Sequence, residues 1–252
     1  MRKWLSPLLA TLPAVAPMAY ASDTARWTPA QADACYAKQQ WLVGSNYATS
    51  NAINQLEMFQ PETFDPVAID RELGWAHEQF GMNTMRVYLH DLLWKQDPQG
   101  LIKRIDTFLD IAQKHGIRPM FVLFDSCWDP DPVLGPQHRP IPGVHNSGWV
   151  QSPSRHTLVD PANDAHFRSY VEGVVGAFAD DKRVLAWDLW NEPDNPGGGN
   201  YMDKQLEGEQ ARIAELLPKI FEWARSRKPS QPLTSGVWIG DDWSPGAASL
   251  TS

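Results

Sequence analysis

Two cysteines in 252 residues, Cys35 and Cys127, are too few for a disulfide-dependent scaffold. Their spacing says nothing of how close their Cα atoms come, so a single bridge between them stays open. Basic side chains are scarce as well. Lys and Arg number 22 against 30 Asp and Glu, a formal charge of −8, which excludes nucleic acid or an anionic membrane as the main partner. No Gly-x-Gly-x-x-Gly follows any strand-like run. Gly197–Gly199 follows an acidic motif instead, so a dinucleotide-binding Rossmann sheet lacks its phosphate loop. Beyond residue 21 no stretch is long and apolar enough to span a bilayer, and no internal repeat or low-complexity tract stands out. A composition 42% hydrophobic and 21% charged excludes wholesale disorder, collagen and coiled coil.

The first 21 residues read as a secretory signal peptide. Arg2 and Lys3 form a basic start, Leu5 to Met18 is mostly apolar, and Ala19-Tyr20-Ala21 is a small-x-small cleavage site. The apolar run is too short for a transmembrane anchor and carries Pro7, Pro13 and Pro17. Residues 22–252 are therefore expected to be exported, secreted or periplasmic, with no membrane contact after cleavage.

What the remainder has in abundance is tryptophan, 12 in all, and an alternation of strand-like and helix-like segments. Trp41–Asn46 reads as a strand. Asp65 then caps a helix whose first residue is Pro66, with Ile69, Leu73, Ala76 and Phe80 as its apolar stripe and Gly81 as its stop. Thr84–Leu89 is the second strand. Leu101, Ile105, Phe108, Leu109 and Ala112 mark a helix closed by Gly116. Arg118–Phe124 is a third strand, apolar enough to be buried on both faces, and Phe167, Tyr170, Val171, Val174 and Phe178 give the next helical face. Val184–Trp190 is the fourth strand. A long helix buries Ile213, Leu216, Leu217, Ile220 and Phe221, and Pro218 should kink or divide it. Residues 232–240 give a fifth strand. This order is that of a parallel α/β domain, with one long Pro- and Gly-rich loop, residues 129–161, of the size that is commonly functional.

Polar residues mark the strand ends: Asn46 and Tyr47 after the first, Arg86, His90 and Asp91 in and after the second. Asp125, Ser126 and Cys127 end the third, Asn191 and Glu192 the fourth, and Asp241 and Asp242 the fifth. In a parallel barrel all of these lie on one face, where active sites are built.

The run Trp187-Asp188-Leu189-Trp190-Asn191-Glu192-Pro193 resembles the acid/base motif that ends strand four in clan A glycoside hydrolases, particularly the family 5 cellulases and mannanases. Gly81-Met82-Asn83-Thr84-Met85-Arg86 is similar to that clan's second strand. The resemblance spans roughly residues 40 to 243 and implies a (β/α)₈ TIM barrel of which about the first five units are present. It further implies a retaining hydrolase of a β-linked polysaccharide or oligosaccharide, with Glu192 as general acid/base, Asn191 bonding the sugar 2-hydroxyl and Arg86 supporting the nucleophile. The chemistry agrees, since glycoside hydrolysis needs one carboxylic acid for the leaving oxygen and a second carboxylate at the anomeric carbon. The third strand departs from the family: Leu123-Phe124-Asp125-Ser126-Cys127-Trp128 stands where a histidine-bearing run is usual.

Trp128, Trp149, Trp190, Trp238 and Trp243 lie near the same ends and are candidate stacking platforms for the apolar faces of sugar rings. Trp187 and Trp75 read as core. His138, His145 and His156 share the long loop with Asp129 and Asp131, but their spacing matches no metal-ligand pattern, so neither metal nor cofactor is expected. In the barrel the nucleophile is a glutamate ending strand seven, and strands six to eight, needing roughly 80 to 100 residues, find no counterpart here. The expectation is a partial barrel at residues 22–252 that is inactive alone. The alternative is a non-catalytic carbohydrate-binding or degenerate half-barrel.

Overall fold

The computed structural model describes residues 26–195 and 199–238. The leader, Asp241, Asp242 and Trp243 lie outside the described residues. A capped helix, α1 (Pro29–Tyr36), precedes the sheet. There follow β1 (Gly44–Tyr47), α2 (Gln55–Phe59), α3 (Pro66–Phe80), β2 (Thr84–Tyr88), α4 (Asp91–Gln96), α5 (Pro98–Lys114) and β3 (Arg118–Asp125). After these come α6 (Arg155–Val159), α7 (Asp164–Ala177), β4 (Ala186–Asn191), α8 (Glu209–Ser226) and β5 (Leu233–Gly236).

The strands pair in sequence order, β1-β2-β3-β4-β5, and every pairing is parallel. A doubly wound sheet reverses its strand order at a switch point; this one does not. The helices between strands pack in the same order, α3 on α5, α5 on α7 and α7 on α8, so they form one layer on one side of the sheet. That is the winding of the first five units of a (β/α)₈ barrel.

Local chemistry sets the boundaries. The Asp65 carboxylate accepts from the N–H groups of Val67 and Ala68, Pro66 occupies the first turn, and Gly81 ends α3 at φ 64°. Between strands and helices lies the apolar core, in which Ile69, Leu73, Ile105, Phe108, Val171, Val174, Leu216 and Ile220 are fully buried.

Four expectations need correction. Phe80 and Trp75 are 69% and 54% exposed. Phe80 sits in the last turn of α3, beyond the core, while Trp75 lies six residues past Ile69, about 240° round the helix, where Arg71 stacks over its ring at 5.3 Å. Of the two outcomes expected at Pro218, a kink or a division, division does not occur, since α8 runs unbroken through it; Leu216, Leu217 and Ile220, all buried, hold both sides of the proline to the core. The first strand starts at Gly44, not Trp41, whose ring is 81% exposed.

The long loop is not structureless. It carries α6, and it is bridged at Asp125–Ser152 and Asp129–Val150. Buried amides staple it: Asn54 Nδ2 donates to Gly148 O at 2.9 Å, Gln55 Nε2 to Val150 O at 2.6 Å, and Gln151 Nε2 to Ser126 O at 2.8 Å.

Candidate active site

The carboxyl ends of the strands open into a cleft of about 440 Å³ lined by Asn46, Tyr88, Asp125, Cys127, Asn191 and Glu192, with Trp128, Trp149 and Trp238 around it. The β3–α6 loop supplies Trp128 and Trp149, and the end of β5 supplies Trp238. The geometry is built from β2 and β4. Arg86 Nε donates to Asp188 Oδ2 at 3.0 Å and Nη2 to Asn191 Oδ1 at 2.8 Å, while Nη1 bonds the Tyr88 hydroxyl at 2.5 Å. Asp188 is almost wholly buried, and burial raises its carboxyl while the Arg86 charge opposes the rise.

In a regular strand Asp188 and Asn191 would point to opposite faces. The pairing of β4 with β5 shifts register between them, so both reach the same guanidinium. The shift also turns Trp190 outward. Its ring stacks beside Phe124, which packs on Phe167 and Tyr170 of α7, and its indole N–H donates to Ser126 Oγ at 2.9 Å. At 1% exposure Trp190 is core, a correction to its expected place among the stacking platforms. Trp187 is fully buried as expected.

Asn191 is clamped on both sides, since its Nδ2 donates to Asp125 Oδ1 at 2.9 Å. Asp125 also receives the Trp149 indole N–H at 2.7 Å and the Cys127 backbone N–H at 3.0 Å. Burial nonetheless dominates and pushes its carboxyl up to about 6. Arg86, given a substrate-side place by the resemblance as the support of the nucleophile, bonds Asp188, Asn191 and Tyr88 and holds Asn191 from behind.

Glu192 follows β4 at φ 51°, the left-handed region that a side-chain-bearing residue seldom occupies and that clusters at functional sites. It is half-buried. Its Oε2 accepts from Asn195 Nδ2 at 2.7 Å and from the Cys127 thiol at 3.0 Å. Both cysteines are free thiols. Asn195, only 2% exposed, went unnoticed in the sequence; its place three residues after Glu192, on the same turn, was the available signal. Asp188 sits inside the motif, but a strand residue facing an arginine two strands away leaves no sequence mark. Trp238 is 56% exposed, with its backbone N–H bonded to Asp194 at 2.7 Å. His138 reaches Asp129 at 3.7 Å, and His145 lies edge-on to Trp128 with ring centroids 5.2 Å apart.

No family model matches the chain. A 92-residue segment, 36% of the chain, is 28% identical to mannan endo-1,4-beta-mannosidase A of Emericella nidulans and spans 22% of that protein. Among solved structures, the beta-1,4-D-mannanase of Cryptopygus antarcticus superimposes with a TM-score of 0.56 at 14% identity, covering 79% of this chain and 57% of that one. The exo-beta-1,4-mannosidase of Opitutaceae bacterium strain TAV5 gives 0.53 at 21% identity, covering 78% and 32%. The chain thus spans between a third and three-fifths of the length of these two structural neighbours. In local sequence it is similar to mannan endo-1,4-beta-mannosidases, and over its five strands it shares the fold of the family 5-type glycoside hydrolases, as the first part of their barrel.

Proposed function

We propose that these residues form the acid/base half of the active site of an exported, retaining β-glycan hydrolase, with Glu192 as proton donor and a β-1,4-mannan as the substrate class. One observation carries the reading: a half-buried carboxyl at the end of β4, walled by Trp128 and Trp149, with one oxygen held by two donors. The other oxygen has no protein hydrogen bond among the described residues. In the first step the glycosidic C–O bond breaks, its electron pair passes to the leaving oxygen, and that oxygen takes the Glu192 proton while a second carboxylate bonds to the anomeric carbon. In the second step Glu192, now ionised, takes a proton from the water that cleaves the glycosyl ester. The indoles offer stacking faces for sugar rings. Asn191 spends one amide hydrogen on Asp125 and keeps the other for a sugar hydroxyl.

Mannan as the substrate class is supported by the likeness to mannan endo-1,4-beta-mannosidases in sequence and to a beta-1,4-D-mannanase in fold. Export rests on the leader read at residues 1–21. Asp125 and Asp188 are buried and occupied by donors, so neither suits the attacking role. That role falls to a carboxylate outside the described residues, with Asp241 and Asp242 the first candidates within the chain. Among the described residues the cleft holds no second free carboxylate, which supports the other reading, a sugar-binding barrel segment without turnover.

Purified full chain, incubated with β-1,4-mannan beside soluble cellulose and xylan, tests the sugar site common to both readings, and Glu192-dependent release would favour the first. Binding of mannan with negligible release of reducing ends is the expected result. Release that falls by roughly 10²- to 10⁴-fold in Glu192→Gln would sustain the acid/base role and bring the second carboxylate inside the chain. Equal release by both proteins would overturn the role of Glu192, and failure to bind any of the three glycans would overturn both readings.

A further inference from the structure

Cys127 lies two residues past the end of β3 and is only 4% exposed, yet its Sγ faces the cleft carboxyl at 3.0 Å from Glu192 Oε2. Asn195 Nδ2 reaches the same oxygen at 2.7 Å and lies 3.4 Å from the sulfur. Asn195 is itself fixed. Its backbone N–H donates to Glu192 O at 2.9 Å, and its carbonyl accepts from Gln210 Nε2 at 3.0 Å. An amide N–H can only donate. The thiol donates as well, because burial and the adjacent Asp125 and Glu192 carboxylates push it up and keep it protonated at neutral pH.

We propose that Cys127 is a positioning residue: its thiol and the Asn195 amide clamp Oε2 of Glu192, so that Oε1 is the oxygen that carries the catalytic proton into the cleft. Hydrogen-bond capacity sets which oxygen that is. An oxygen already accepting from two donors is the poorer site for a proton, and Oε1 accepts from no protein group among the described residues. The left-handed backbone at Glu192, whose N–H is tied to Gly236 O at 2.5 Å, fixes the base of the side chain. The clamp fixes its tip. The inference rests on the acid/base reading for its catalytic meaning, although the clamp itself is a matter of geometry.

The test is carbon-13 magnetic resonance of the full chain labelled at glutamate side-chain carboxyls, with the Glu192 signal identified by its loss in Glu192→Gln. Cys127→Ala should displace that signal, Cys127→Ser, which keeps a donor, should return it towards the wild-type position, and Cys35→Ser should leave it in place. An undisplaced signal in Cys127→Ala, or no recovery in Cys127→Ser, would overturn the clamp. Thermal unfolding and the other glutamate signals report whether each variant folds. Should Cys127→Ala fail to fold, the infrared S–H stretch of the Cys35→Ser protein decides. A band displaced to low frequency that relaxes in Glu192→Ala supports the contact, and a band at the free-thiol frequency overturns it. Adding a β-1,4-manno-oligosaccharide separates the two readings. If sugar moves the Glu192 signal and Cys127→Ala does not, the clamp alone falls. If Cys127→Ala moves it and sugar does not, the clamp stands and the acid/base reading falls.

Discussion

Asp125 is the residue on which the cleft's polar frame converges, and its titration has a consequence for the whole fold. Its carboxyl is raised to about 6, chiefly by burial, with the Asn191, Trp149 and Cys127 donors opposing the rise. Below about pH 4 the folded and unfolded chains both hold this proton; between about 4 and 6 only the folded chain does. The folded state binds more protons in that window, so stability is lost as pH rises through it, by about 3 kcal/mol for a shift of this size. Asp125→Asn carries no such proton. Urea unfolding of both proteins at pH 4 and pH 7 should show the wild type losing ground to the variant between the two values, whatever the offset from the altered hydrogen bonds. An offset that is the same at both pH values would mean that Asp125 is ionised in the fold at pH 4.

The strands and helices around it depend on two kinds of glycine. Gly81 ends α3 at φ 64° with open space around its missing Cβ, so Gly81→Ala strains only the backbone and should cost about 1 kcal/mol. A Cβ on Gly44 in β1 would lie 2.2 Å from the backbone oxygen of Thr84. That oxygen belongs to β2 and cannot rotate away, so Gly44→Ala should cost about 3 kcal/mol or more by forcing the pair apart. Denaturant midpoints of the two variants check the ranking; equal losses would mean that β1 can slide without penalty. The contrast also explains what was legible in the sequence. Caps, stops and apolar periodicity announce themselves locally, so α3 could be placed nearly to the residue from Asp65, Pro66 and Gly81, and the end of α5 from Gly116. A register shift does not. Nothing in Trp187–Pro193 says that Trp190 turns towards α7 while Asn191 joins Asp188 on Arg86. The loop staples at Asn54, Gln55 and Gln151 were equally silent, because polar amides bury only where a distant backbone happens to meet them.

At the scale of the molecule, the sequential parallel order of five strands and the single helical layer bring Asn46, Asp125, Asn191 and Glu192 to one rim, with Arg86 bonded to Asn191 behind it. The strand-end residues made this gathering legible before the structure was known, since a parallel barrel turns all its strand ends the same way. Which polar groups would face sugar and which would hold one another was not legible, because Arg86 and Asp188 look like site residues by type and act as framework by contact. On the proposed function this rim is a carbohydrate site. The most direct measurement is a calorimetric titration of the full chain with a β-1,4-manno-oligosaccharide, repeated for Trp128→Ala in the cleft and Trp75→Ala on the exposed flank of α3. Loss of one stacking face should weaken binding about tenfold in Trp128→Ala and leave Trp75→Ala equal to wild type. No heat of binding in the wild type, or the same loss in Trp75→Ala as in Trp128→Ala, would contradict it.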